Sequence, residues 1–156
     1  MLLRGSFDEK IELTVQGYQF PDAKPSEDWH DANWLRVRLR VAEMPGWDAS
    51  DPALLTTEAR TIADWLRKAA VGLSEPTLDF IEPSLTFETY EDEIGDRYYN
   101  LVVAPELGPR ALVDLACASV MLSLSSDPEA LREAADQLEA ELEAFPVRGT
   151  PVAYWD

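Results

Sequence analysis

From Trp34 to Val41 the chain alternates without a break: Leu35, Val37, Leu39 and Val41 are aliphatic, and Arg36, Arg38 and Arg40 are cationic. Successive side chains of a strand project to opposite faces, so this run reads as a half-buried β-strand. A helix would scatter the same aliphatics around its circumference. The register is constrained as tightly, because a slip of one residue would exchange the aliphatics for guanidinium groups. The rest of the fold must therefore be built around a sheet with one wet face, which is the habit of antiparallel sheets.

Other segments follow the same logic. Ile11, Leu13 and Val15 alternate with Glu12, Thr14 and Gln16, giving an earlier strand. Gly17 marks a bulge or bend, after which Tyr18 and Phe20 continue to Pro21. Residues 21–32 and 44–55 read as loops, the second because it holds Pro45, Gly46 and Pro52. A helix is expected next, capped by Thr56 or Thr57, with Glu58 in its first turn. Ile62, Ala63, Leu66 and Ala70 recur at helical spacing with Trp65 beside them, and Gly72 supplies the stop. Three strands are predicted at Leu78–Ile81, Leu85–Tyr90 and Tyr98–Val103, the last two joined by a hairpin loop, Glu91 to Asp96. Leu112, Leu115 and Val120 are spaced as in a helix, but Val120, Leu122 and Leu124 alternate within 118–125, which reads as a further strand. The final helix has Asp127 as cap, Pro128 at its first position, and an apolar stripe of Leu131, Ala134, Ala135, Leu138, Leu142 and Phe145. Glu133, Asp136, Glu139, Glu141 and Glu143 leave its exposed sides acidic. The aromatic tail Val152–Asp156 is expected to dock on the body. The reading is one α+β domain over residues 1–156, an antiparallel sheet of about five to six strands with two helices on one face.

Charge narrows the partners. Thirty Asp and Glu against 13 Lys and Arg give −17. That balance disfavours nucleic acid and anionic membrane, and attracts a basic partner. The single cysteine, Cys117, lies among apolar residues and reads as a small buried hydrophobe. No run approaches the roughly 18 apolar residues of a membrane span, so the cytoplasm is the expected location.

Catalytic motifs are missing: no G-x-S-x-G, H-E-x-x-H, C-x-x-C, Walker loop or dinucleotide fingerprint occurs. No metal or cofactor is expected. Asp28, His30 and Asp31 cluster in sequence, but a solvated loop explains them as well as a cation site does. Glu82, or Glu88 with Asp79, could form a carboxylate pair, yet a chain this acidic produces such pairs by chance. The surfaces suited to a partner are the acidic loop with Glu91, Asp92, Glu93 and Asp96, and the outer face of the last helix. Trp29 and Trp47 fall in predicted loops and are the aromatic contact candidates, whereas Trp65 belongs to the core. Trp34 shares the arginine face.

Several segments together resemble the WapI-type immunity proteins. They are Gly17-Tyr18-Gln19-Phe20-Pro21, then Asp28-Trp29-x-Asp31-x-Asn33-Trp34-Leu35 leading into the alternating strand. Thr56-Thr57-Glu58 with Ala63-Asp64-Trp65-Leu66 is similar to that family's first helix. Phe80-Ile81-Glu82-Pro83-Ser84-Leu85-x-Phe87 resembles its central strand pair, and Leu131 to Leu142 with Ala144-Phe145-Pro146 its closing helix. The resemblance runs from about residue 10 to 148, with 88–110 and 112–125 unmatched. It implies a bacterial immunity protein that binds and neutralises a toxin domain encoded nearby, in the cytoplasm, without catalysis. Two other classes stay open: a carboxylate-based enzyme on a carbohydrate or small cationic substrate, and an interaction module that self-associates into a homo-oligomer.

Overall fold

The alternating run is an interior strand, paired on both sides. The computed structural model describes residues 1–42, 46–110 and 118–151. In chain order these form β1 (Leu2–Arg4), β2 (Lys10–Tyr18), α1 (Trp29–Asn33), β3 (Trp34–Val41), β4 (Trp47–Leu55), α2 (Thr56–Ala69), β5 (Thr77–Leu78), β6 (Leu85–Glu91), β7 (Arg97–Val103), β8 (Val120–Leu124) and α3 (Pro128–Leu142). The expectations for Pro45, for Cys117 and its neighbours Leu112 and Leu115, and for the tail 152–156 fall outside the described residues.

The α+β class and the antiparallel pairing hold, but the single sheet of five to six strands does not. The described residues form two four-stranded sheets: sheet I, ordered β1-β2-β3-β4, and sheet II, ordered β5-β6-β7-β8. Two strands account for the difference. β1 is three residues long, too short for alternation to show. β4 was expected to be loop because of Pro52, but it is an edge strand, where a missing N–H need not break the ladder. Pro52 lies opposite Arg36, next to a register shift between Leu35 and Arg36. The bulge expected at Gly17 is present: the β2–β3 register shifts between Val15 and Gly17, and Gly17 takes φ +152°.

The sheets meet edge to edge. Gly5 bridges Leu124, the Ser6 amide donates to the Ser123 carbonyl at 2.9 Å, and the Ser125 amide donates to the Arg4 carbonyl at 2.8 Å. This leaves β4 and β5 as the outer edges. Asp51 of β4 pairs in register with buried Val37, so its carboxylate sits on the inward side. An inward charge, a proline and, on β5, a length of two residues are recognised ways of blunting a sheet edge.

Helix α1, five residues long, is a further helix that begins in the stretch read as loop. Helices α2 and α3 are the two expected, and they cover the inward faces. Leu35, Val37, Leu39 and Val41 are buried there, as the alternation requires, and so are Leu85, Phe87, Leu101 and Val103 of sheet II. Trp65 of α2 meets Phe87 at 5.4 Å and Tyr99 edge-on at 5.7 Å between ring centroids. Its indole N–H donates to the Glu75 carbonyl, so the buried ring leaves no polar atom unpaired. Helix α3 buries Leu131, Ala134, Ala135, Leu138 and Leu142, the predicted stripe. Full burial of each such leucine contributes about 1.5–3 kcal/mol. From its flank, Glu141 accepts the Val15 amide at 2.6 Å, and Gln137 accepts the Leu2 amide at 2.8 Å.

The helix caps divide. Asp127 accepts the Glu129 amide, as predicted for α3. For α2 the cap position is Leu55, not a threonine. Glu58 reaches back to the Leu55 amide at 2.8 Å and also accepts the Ile81 amide at 2.7 Å. Thr56 is fully buried and donates its hydroxyl to the Asn33 carbonyl, so it ties α1 to α2.

Candidate interaction surface

The acidic loop closes the β6–β7 hairpin and is rigid by construction. Asp92 and Asp96 exchange a backbone bond, and Gly95 occupies φ +88°, a conformation glycine adopts without Cβ strain. One carboxylate oxygen of Asp92 accepts the amides of Ile94 (3.0 Å) and Asp96 (2.9 Å), and the other accepts the Tyr98 hydroxyl at 3.0 Å. Partial burial works against that charge, but these donors outweigh it and hold Asp92 below the usual carboxylate range. Asp92, expected as a contact residue, thus builds the loop. Glu91 is held by Arg97 at 3.0 Å. Glu93 and Asp96 remain outward, with Ile94 exposed at the tip.

The tryptophans go elsewhere. Trp47 lies in strand β4 instead of a loop, half-buried, and its indole N–H donates to the Leu107 carbonyl at 2.8 Å. Trp29 opens α1 instead of lying in a loop. It is half-buried and edge-on to His30 at 5.4 Å, with its indole N–H enclosed and without a hydrogen-bond partner among the described residues. Neither belongs to the hairpin. Asp28, beside them in sequence, caps α1 by accepting the Asp31 amide at 3.0 Å. Among the described residues, no group of three His, Cys, Asp or Glu side chains is placed to hold a metal ion.

The outer face of α3 is less free than its sequence suggests. Arg67 of α2 donates to both Glu139 oxygens and, at 2.8 Å, to Asp136. Glu141 turns inward to the sheet backbone. Exposed Glu129, Glu133 and Glu143 remain.

One carboxylate escaped sequence reasoning. Asp51, hidden in a segment read as loop, lines an open cleft with Glu82, Ser84 and Glu106. Burial first, then Glu106, push its carboxyl above the usual range, against the pull of Arg36. Of the carboxylates considered from sequence, Glu82 reaches this cleft, whereas Glu88 stands on the outward side of β6 opposite Asn100. On the outward face of sheet I, Arg38 grips Asp48 through Nε at 2.7 Å and through a second nitrogen, which holds Asp48 below its ordinary pKa.

The described residues thus form an antiparallel α+β scaffold that presents a braced acidic hairpin. The chain belongs to the immunity protein WapI-like family, the match spanning residues 2–146. No curated protein and no solved structure matches it.

Proposed function

We propose that this chain is a cytoplasmic immunity protein that neutralises a cognate toxin domain by binding it, without catalysis. Family membership across residues 2–146 is the observation that carries this reading. The net charge of −17 supports a basic partner, such as a domain that itself binds phosphate groups. The toxin is expected to be encoded next to this chain. The contact surface is the hairpin carrying Glu91, Asp92, Glu93 and Asp96, or the outer face of α3. Trp47, whose indole N–H is already engaged, serves packing.

Co-expression is the direct test. Cells producing the neighbouring toxin domain should survive with this protein and die without it. Equal killing in both would remove the immunity reading for that toxin.

A second reading has one observation in its favour: the raised Asp51 carboxyl beside Glu82 and Glu106 is the kind of site a carboxylate-based enzyme uses. An inward charge on an edge strand explains the same shift without chemistry. Turnover of a glycoside or ester that disappears in Asp51→Asn would favour the enzyme.

A further inference from the structure

The outward faces of the two sheets are dressed differently. On sheet I, Glu12 lies opposite Arg40, which lies opposite Asp48, and Arg38 and Arg36 stand on the same side. Opposite charges across neighbouring strands are ordinary for a solvated sheet. Sheet II has no such pattern. Starting at the hairpin, its outward rows are Tyr90 opposite Tyr98, then Glu88, Asn100 and Ser123, then Thr86, Val102 and Met121. Glu88 is the single charge in these rows. Tyr90 is 59% exposed, Tyr98 48%, Met121 61%, and Ile94 at the adjoining tip 83%.

The aromatic pair is also set in place beforehand. The two rings lie 6.2 Å apart between centroids, and the Tyr98 hydroxyl is held by Asp92, whose carboxylate is fixed in turn by two loop amides. Immobilising a side chain on binding carries an entropic cost, and a ring already held avoids much of it. Two exposed, paired tyrosines, one of them held by Asp92, beside an apolar neighbour are the composition of interface hot spots.

We propose that the hairpin end of the outward face of sheet II is the docking surface for a basic protein domain, with Tyr90, Tyr98 and Ile94 as its apolar anchor and Glu93 and Asp96 as its charged rim. This rests on the immunity reading and names the surface through which that reading operates. Charge selects the occupant: four loop carboxylates, Glu91, Asp92, Glu93 and Asp96, face one cation, Arg97. Phosphate-bearing polymers and lipid surfaces are repelled by such a rim. A second copy brings its own −17 and meets like charge.

The test uses the full chain and the toxin domain encoded beside it, with association followed by surface plasmon resonance. Tyr90→Ala and Ile94→Ser leave the Asp92–Tyr98 bond intact, and urea melts should match the parent. Each should raise the off-rate about tenfold or more while the on-rate moves little, as anchors do. Tyr98→Phe keeps the ring but removes the Asp92 bond that holds it, so it should raise the off-rate a few-fold, less than Tyr90→Ala. Glu93→Lys with Asp96→Lys should act mainly on the on-rate. If the parent binds the toxin and Tyr90→Ala and Ile94→Ser bind it equally well, the surface is wrong and the immunity reading stands. If the parent binds no toxin, both fall. If sedimentation shows a dimer that Tyr90→Ala dissolves, the face is a self-interface and the proposal is overturned.

Discussion

Asn33 pairs with Arg148 as a strand would, using its side-chain amide in place of backbone. Its Nδ2 donates to the Arg148 carbonyl at 3.0 Å, and its Oδ1 accepts the Arg148 amide at 2.8 Å. The second Nδ2 hydrogen goes to the Trp29 carbonyl at 2.8 Å. Arg148 extends the clasp by lying 3.8 Å from the Tyr18 ring centroid and donating to the Pro21 carbonyl. The segment after α3 is thereby fastened to α1 and β2.

Asn33→Asp should therefore be severe for an isosteric change. It aims an oxygen at two carbonyls inside a fully buried site. A loss of about 3 kcal/mol or more is expected at pH 7, since the lost donors are compounded by an uncompensated buried charge. Urea unfolding measures it. The deficit should shrink in acid, where the carboxyl is protonated and one donor returns.

Leu138→Ala should cost about 2–5 kcal/mol, because it empties a site at the centre of the α3 stripe. Glu133→Ala, on the exposed side, should change stability by less than about 0.5 kcal/mol. Paired denaturant melts compare the two directly, and equal losses would contradict the burial assignment.

The Arg67–Glu139 contact calls for a double-mutant cycle. It is bidentate but surface-exposed, so a coupling of about 0.2–1 kcal/mol is expected, falling as salt is added. Arg67 holds the Glu139 carboxyl below its ordinary range. The contribution is therefore complete above the unfolded-state pKa and lost as pH drops through the lower folded-state value.

Asp51 has the opposite sign. Burial and Glu106 raise its folded-state pKa, so the native state holds the proton more tightly and loses stability as pH rises through that raised value. Asp51→Asn should stabilise the protein at pH 7. The gain should vanish below the unfolded-state pKa, where both states of the parent are protonated. Melting temperatures of parent and variant across pH 3–8 decide it.

The elements legible in the sequence are those whose partners lie in their own pattern. Period two in β3 and the stripe from Leu131 to Leu142 predicted the correct buried faces, because one wrong register would have exposed every aliphatic. β4 was illegible because Asp51 puts a charge on its inward side and Pro52, opposite outward Arg36, reads as a loop residue, although both blunt an edge. The edge-to-edge meeting of the two sheets rests on the Gly5–Leu124 bridge, a contact between distant segments that no local pattern encodes. The acidic hairpin was read from its composition, but Tyr90 and Tyr98 were not seen as a pair. Counting outward from the turn would have found them, since residues equidistant from a hairpin loop face each other.

The blunted margins of the sheets carry a consequence for recognition. β-Augmentation, in which a partner contributes a strand and gains affinity from main-chain bonds of any sequence, is disfavoured along β4 and β5. A partner has to recognise side chains. Specificity is thereby uncoupled from the scaffold: substitutions at outward positions can retarget the protein while the hydrogen-bond ladders and the packing beneath them stay untouched.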